Sequence, residues 1–251
     1  MKIIISPAKK MNVDTDSLPW RDLPAFLPQT ETILGELKAM DYDALKALWK
    51  CSDKIAMENV ERLADMDLQK RLTPAILAYE GIQYQYMAPT VFSEKEYEYI
   101  QEHLRILSGF YGVLRPFDGV TPYRLEMQAK LQVGDAKDLY TYWGASLAEA
   151  LTVDTDVVIN LASKEYSSAI AKHLPADCRM ITCVFGEVSN GKVVEKGTLC
   201  KMARGEMVRR MAEQNVQVPE ELKSLQLSNY RFAEGLSDET TYVFLLEEEK
   251  E

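Results

Sequence analysis

The sequence predicts an α+β fold, with a mixed sheet and many short helices in a single compact domain that spans residues 1–251. Two patterns lead to this prediction. Apolar residues recur at helical spacing in several separate segments, and short runs of β-branched residues between them predict buried strands. The chain contains no internal repeat, low-complexity segment or linker, which favours one domain over several.

The first third of the chain predicts one strand followed by helices. Residues 2–6 are a short run rich in β-branched side chains, and Pro7 ends it. A polar loop with several prolines extends to about residue 28. Residues 30–66 then show an interrupted helical periodicity, which is typical of several short helices.

The middle of the chain predicts a helix, a strand and a second helix. Ser93 and Glu96 form a capping box, and the apolar stripe that follows carries the predicted helix to Gly109. Residues 122–127 alternate in polarity like a strand, and residues 137–151 have the pattern of a helix.

The last third predicts two helices and four strands in alternation, with a short helix before the final strand. Asn190 and Gly191 are the strongest hairpin signal in the chain, because this pair favours a tight turn between strands. The remaining predicted elements are a strand at residues 156–162, a helix at 163–174, a helix at 200–215, a helix starting at 218–222 and a strand at 240–246.

The charge of the chain is segregated by sign. The formal net charge is -10, which argues against a protein that coats nucleic acid indiscriminately. Residues 192–210 nevertheless carry six lysines and arginines against two glutamates, whereas residues 211–251 carry ten acidic and three basic side chains. A local basic site is therefore compatible with the acidic composition.

Composition also restricts compartment and chemistry. The apolar segment at the N-terminus is too short for a signal peptide and no run is long enough to span a membrane, so we expect a cytoplasmic protein with no membrane partner. The four cysteines are too sparse for a disulfide framework and too far apart for zinc-ligand pairs. We expect no cofactor and no metal site, and the chain carries no recognisable catalytic motif.

The segment LSGFYGVLRP, residues 107–116, interrupts the predicted helix with two glycines. In one interpretation, Gly109 and Gly112 bare the backbone so that its amides bind phosphate, with Arg115 adding a charged contact. In the other, Gly109 ends the helix, Gly112 serves a turn, and the aromatic residues between them lie in the core. Spacing alone favours the second interpretation.

Basic residues near this segment also allow two interpretations. Arg115 and Arg124 could line an anion site, positioned by the carboxylates of Asp118 and Glu126, or they could be paired surface arginines. Asp118, Glu126 and Asp135 could bind a hard metal, but their spacing does not specify one.

Two lysines follow the first predicted strand. Lys9 and Lys10 would lie where the carboxyl ends of strands commonly form a ligand crevice, although a solvated pair is the simpler interpretation. Lys201 and Arg204 are three residues apart and so share one face of a helix, where phosphate binding and simple solvation are both open.

Five motifs together resemble the YaaA family of bacterial peroxide stress proteins. The motifs are SPAKK at 6–10, LSGFYGVLRPFDGVTPYRLEM at 107–127, KDLYTYWG at 137–144, VVINLASKEY at 157–166 and KMARG at 201–205. The resemblance implies a cytoplasmic protein that helps cells survive hydrogen peroxide by limiting free iron. It also implies a positively charged cleft and a helix-hairpin-helix-like element that binds DNA, which falls on residues 108–112. This chain has two residues between the glycines, where the common element has one.

On this resemblance we expect a monomer that binds the DNA backbone with little sequence preference. The expected DNA-binding residues are Lys9, Lys10, Ser108, Gly109, Tyr111, Gly112, Arg115, Arg124, Lys137, Lys201 and Arg204. One alternative is an enzyme acting on DNA in the manner of a glycosylase or lyase, or on a phosphorylated small molecule. Another is a protein that binds iron directly through the acidic tail, which includes Glu247, Glu248 and Glu249.

Overall fold

The fold is built on an eight-stranded mixed sheet, and residues 1–247 are the part of the chain that this computed structural model describes. The strands in chain order are β1 (Lys2–Ile5), β2 (Lys10–Met11), β3 (Thr73–Pro74), β4 (Tyr79–Glu80), β5 (Leu104–Ser108), β6 (Gly112–Leu114), β7 (Gly119–Val120), β8 (Val157–Leu161), β9 (Arg179–Ser189), β10 (Lys192–Val194), β11 (Tyr230–Phe232) and β12 (Thr241–Leu246).

The central strands of this sheet are parallel and its margins are antiparallel. The strand order is β11-β12-β9-β8-β1-β5-β6, and β10 pairs with β9 outside this path. The five strands from β12 to β5 run parallel to one another, whereas β11, β10 and β6 pair antiparallel. Two further pairs, β2 with β4 and β3 with β7, form small separate sheets.

Short helices surround the sheet. They are α1 (Leu27–Ala39), α2 (Tyr42–Trp49), α3 (Asp53–Ala64), α4 (Ala75–Ala78), α5 (Ile82–Met87), α6 (Glu94–His103), α7 (Leu139–Trp143), α8 (Ser146–Thr152), α9 (Lys164–Ala171) and α10 (Gly197–Glu213), with 3₁₀ turns at Pro89–Val91, Pro219–Ser224 and Glu234–Leu236. The predicted α+β fold with a mixed sheet and many short helices is therefore confirmed. No helix within residues 1–247 is long and apolar enough to cross a membrane.

Several local predictions are also confirmed. The capping box of Ser93 and Glu96 opens α6, and its geometry is complete. The apolar run predicted as a strand at residues 156–162 forms β8 in the middle of the sheet. Asn190 and Gly191 both adopt positive φ and connect β9 to β10 as an antiparallel hairpin. In each case a local signal agrees with the surrounding packing.

The helix predicted to reach Gly109 ends earlier, at His103, and the helix-hairpin-helix-like element predicted at residues 108–112 is wrong. The chain continues as β5 and returns as β6, so this segment is a turn between two strands. The cause is non-local: Leu104 and Ile106 pair in register with Ile3 and Ile5 of β1. This pairing overrides the helical spacing of the apolar side chains. A helix pair with a short turn does occur elsewhere, where residues 50–52 join α2 to α3.

The strand predicted at residues 122–127 is also wrong. The segment carries no strand pairing and is a connection without regular secondary structure. Its backbone packs against Gly109, where an added Cβ would lie only 2.9 Å from the carbonyl carbon of Glu126 and from the amide nitrogen of Met127. The alternating polarity therefore reflects one buried face of a loop.

Gly205 allows α10 to pack closely against α5. A Cβ built on Gly205 would lie 2.1 Å from the carbonyl oxygen of Gln83, far inside van der Waals contact. The helix can occupy this position only without a side chain there. Because Lys201 and Arg204 lie in the turn before Gly205, this close packing sets where their side chains emerge.

We expect Gly205→Ala to lower the free energy of unfolding by about 1–3 kcal/mol, because the new methyl group must push α10 away from α5. Gly197→Ala is the matched control, since Gly197 begins the same helix with no atom within 4 Å of its Cβ position. The control should be neutral or slightly stabilising through helix propensity. Urea unfolding of both variants measures the difference, and equal stabilities would contradict the packing argument.

Candidate functional site

A cavity of about 530 Å³ lies at the carboxyl ends of two neighbouring parallel strands, β1 and β8. The loop after β1 contributes residues 6–10, and the loop after β8 contributes Ser163 and the start of α9. The connection at residues 123–126, the segment that leads into α5 and one face of α10 complete the walls. Ligand crevices in parallel sheets form at this end of the strands.

Two serines join the loops that leave β1 and β8. The Ser163 amide donates a hydrogen bond of 2.8 Å to Ser6 Oγ, and the two hydroxyl oxygens are 3.2 Å apart. Tyr84 OH donates to the Ser6 carbonyl at 3.0 Å. These bonds fix the base of the cavity relative to the sheet.

Glu126 lies between two cations at the cavity wall. Its Oε1 atom is 3.2 Å from Lys9 Nζ and 3.3 Å from Arg124 Nη2. Arg124 and Glu126 are 11% and 14% exposed, whereas Lys9 is 65% exposed. The hydrogen-bond geometry is poor, so Glu126 Oε1 and Arg124 Nε are both buried without a hydrogen bond from the described residues.

Helix α10 brings a second pair of basic side chains to the cavity. Arg204 is 11% exposed and its Nη2 lies 3.1 Å from Glu195 Oε1, while its buried Nε has no hydrogen bond from residues 1–247. Lys201, one turn earlier, is exposed. On the opposite side Lys10 pairs with Glu80 at 2.7 Å.

The lining is therefore net basic in an acidic protein. Five basic residues, Lys9, Lys10, Arg124, Lys201 and Arg204, face three carboxylates, Glu80, Glu126 and Glu165. Burial raises the pKa of Glu165, which reduces its opposing negative charge as the pH falls. Such a concave surface attracts an anion.

Tyrosine rings form the apolar part of the walls. Tyr84, Tyr123 and Tyr166 line the cavity and are buried. The Tyr123 hydroxyl lies 2.6 Å from Ser108 Oγ and 2.9 Å from the Tyr79 hydroxyl. Burial raises the pKa of Tyr123, so the phenol stays protonated at neutral pH.

Four residues predicted to contact DNA lie inside the protein. Ser108, Gly109, Tyr111 and Gly112 are buried, so the prediction of DNA contacts at these positions is corrected. Gly109 admits the backbone of residues 125–127 rather than a ligand. Gly112 has a φ of 75° and packs against the rings of Trp143 and Phe26. Ser108 supports the wall of the cavity through Tyr123.

Two predicted residues lie outside the cavity lining. Arg115 pairs with Asp22 at 3.0 Å and with Asp118 at 3.2 Å, and its amide donates to Asp118 at 2.8 Å. Lys137 is exposed beside the start of α7. The structure thus brings together Lys9, Lys10, Arg124, Lys201 and Arg204, and it does not bring Arg115 or Lys137 to the same lining.

Sequence reasoning missed Ser163, Glu165 and Tyr166. They follow β8 directly, in the segment SKEY, so the rule that pointed to the lysines after β1 could also have found them. Tyr84 had no comparable signal, because it is one of several aromatic residues in a helical segment.

The acidic tail contributes little that the structure describes. Glu247 lies 3.2 Å from Arg231, and Glu248 and Glu249 fall outside the described residues. Within residues 1–247, no group of three or more histidine, cysteine, aspartate or glutamate side chains is arranged to hold a metal ion.

We expect Gly109→Ala to lower the free energy of unfolding by about 1–3 kcal/mol, because its methyl group would collide with the backbone that carries Glu126. Gly35→Ala in α1 is the control, with no atom within 4 Å of its Cβ position. Chemical denaturation measures both. A Gly109→Ala protein with unchanged stability but impaired DNA binding would instead support the interpretation in which the glycines expose backbone amides to phosphate.

Asp118 should make stability fall as the pH rises. Burial outweighs the hydrogen bonds from Arg115 and raises the pKa of Asp118 to about 6, from 3.8. A carboxyl group with a raised folded-state pKa favours folding fully below pH 3.8 and loses that contribution as the pH rises through 6. Relative to Asp118→Asn, the wild-type free energy of unfolding should decrease by about 2–3 kcal/mol between pH 4 and 7. A pH-independent difference in denaturation would contradict this assignment.

Comparison with known proteins agrees with the motifs. The sequence model of a family described as "Peroxide stress protein YaaA" matches residues 1–236. A UPF0246 protein of Pediococcus pentosaceus is 56% identical over 248 residues, covering 99% of each chain. Another, from Agathobacter rectalis, is 54% identical over 244 residues and covers 97% of this chain and 98% of its own length. This chain therefore belongs to the YaaA family of peroxide stress proteins.

Proposed function

We propose that this protein acts in the peroxide stress response by binding DNA at the mouth of the basic cavity. The observation that supports this most directly is convergence. Three segments far apart in the chain, residues 9–10, Arg124 and residues 201–204, supply five basic side chains to one concavity of an otherwise acidic protein. The formal net charge of the whole chain, -10, would discourage nonspecific coating and leave this face for phosphates.

The basic side chains divide into two groups with different roles in this proposal. Lys9, Lys10 and Lys201 are exposed and can reach backbone phosphates at the mouth. Arg124 and Arg204 are largely buried, so they supply positive potential from within. Contacts of this kind fix the position of DNA without identifying bases, which agrees with binding of low sequence preference by a monomer.

The proposed link to iron is electrostatic. DNA holds a condensed layer of cations, and basic side chains that neutralise its phosphates release them. Ferrous iron held at the backbone would be released in the same way, and the DNA beneath the protein would be shielded from the oxidants that this iron generates. In this way the protein would limit iron damage to DNA in the cytoplasm without binding a metal itself.

A second candidate function is an enzyme that acts on DNA, like a glycosylase or lyase, or on a phosphorylated small molecule. Glu165 favours it, because a half-buried carboxyl group with a raised pKa in a basic cavity suits a general acid. Asp118, the other carboxylate with a raised pKa, lies outside the cavity lining and is held by Arg115. Damaged-base oligonucleotides incubated with excess protein, with and without divalent metal, test this candidate: no product would exclude it for those lesions.

We expect the double variant Lys9→Ala, Lys201→Ala to bind duplex DNA more weakly and with a shallower salt dependence. Each lost phosphate contact reduces the slope of log affinity against log salt by about 0.9, so the slope should fall by up to about 2. Fluorescence anisotropy of labelled duplex across a salt series measures it.

The control is Lys95→Ala, Lys192→Ala, which removes the same total charge from two exposed lysines outside the cavity lining. It should retain the wild-type slope. Equal losses in both double variants would show that total charge matters and the cavity does not, and absence of binding at low salt would end the DNA proposal.

A further inference from the structure

We propose that the cavity receives a single nucleotide displaced from the base stack of the bound DNA, an inference that rests on the DNA binding proposed above. Phosphate contacts at the mouth use only the exposed lysines. The buried arginines add positive potential, but neither role uses the tyrosine rings or the hydrogen-bonding atoms buried in the interior.

The dimensions of the cavity exclude a duplex and suit one nucleotide. A volume of about 530 Å³ falls within the roughly 300–1,000 Å³ of small-ligand sites. A sphere of that volume would be roughly 10 Å across, which is less than the width of the DNA major groove alone, at about 12 Å. A nucleotide turned out of the helix is the part of DNA that can enter.

The walls offer what a nucleobase requires on its faces. The Tyr84 hydroxyl is hydrogen-bonded to the Ser6 carbonyl, and the Tyr123 hydroxyl is hydrogen-bonded to the hydroxyls of Ser108 and Tyr79. These bonds hold both rings in place. Tyr166, also buried, lines the same space. Unstacked bases are commonly held against aromatic side chains in this way, because every base has a π face.

The polar atoms of the wall offer what a base requires at its edge. Arg124 Nε, a donor, and Glu126 Oε1, an acceptor, are buried and lack hydrogen bonds from the described residues. The edge of a base presents a donor beside an acceptor. A buried group that lacks a hydrogen bond, as Glu126 Oε1 does although it lies 3.2 Å from Lys9 Nζ and 3.3 Å from Arg124 Nη2, gains more from such an edge than a solvated group does.

The phosphate of the same nucleotide would remain at the basic mouth. Exposed Lys9 and Lys201 lie on the same lining. The cavity thus has a cationic entrance and an aromatic interior with a donor and an acceptor, the order in which an everted nucleotide presents its parts.

The test uses three duplexes that differ at one position: fully paired, with a single bulged nucleotide, and with the same bulge lacking its base as a tetrahydrofuran abasic analogue. Both bulges carry one extra unit of backbone at the same position, so comparing them separates the contribution of the base from that of the extra backbone. We expect the bulged nucleotide to bind at least about tenfold more tightly than the abasic bulge. Equal affinity for the two bulges overturns the inference, while salt-sensitive duplex binding would leave the proposed function intact.

The variant Glu126→Gln should affect duplex binding and the preference for a bulged nucleotide in opposite directions. Loss of the negative charge should leave duplex affinity equal or higher, because Lys9 and Arg124 are released, but it should reduce the advantage of the bulged base several-fold. Glu80→Gln is the control, since Glu80 also pairs with a lysine on the lining but has no unpartnered buried oxygen among the described residues. It should keep the bulge preference, and equal losses in both variants would count against an edge contact at Glu126.

A final arm distinguishes a DNA-borne nucleotide from a free one. Millimolar deoxynucleoside monophosphates should compete away only the additional affinity for the bulged duplex. If the wild type binds free monophosphates in calorimetry but binds none of the three duplexes, the proposed DNA function fails and the cavity is a site for free nucleotides. If it binds the duplexes with no effect of monophosphates and no bulge preference, the nucleotide inference alone fails.

Discussion

The parallel pairing of β1 with both β5 and β8 is the interaction on which the rest of the structure depends. Ile3, Ile4 and Ile5 are wholly buried, and each pairs in register with residues more than 90 positions away on both sides. Removing such side chains from water is the main favourable contribution to folding, and here it also aligns the ends of two strands. The cavity exists because the loops that leave β1 and β8 must start side by side.

Two glycines determine where the charged residues lie relative to the sheet. Gly109 lets the connection that carries Arg124 and Glu126 lie against the sheet, and Gly205 lets α10 lie against α5. Neither glycine serves a ligand directly. Residues that look like binding elements in the sequence instead act by close backbone approach, and they place cationic side chains from separate segments around one space. This arrangement is why an acidic chain can present a basic cavity.

The sequence predicted the features that depend on local signals and missed those that depend on distant contacts. The α6 cap, β8 and the turn at Asn190 were predicted because neighbouring residues alone determine them. The change from helix to strand after His103 was missed because pairing with β1 decides it. At the site, the motifs identified five basic lining residues, but burial of Ser108 and its neighbours could not be seen without the fold.

Glu126 has a consequence for how quickly any anion could leave the cavity. Its carboxylate occupies the space between Lys9 and Arg124, and so offsets their mutual repulsion. An incoming phosphate must compete with this internal anion, and when it departs the carboxylate is ready to take its place. We expect such an internal anion to shorten the residence time of a bound phosphate. Under the proposed function, exchange of this kind would let the protein release DNA after each encounter.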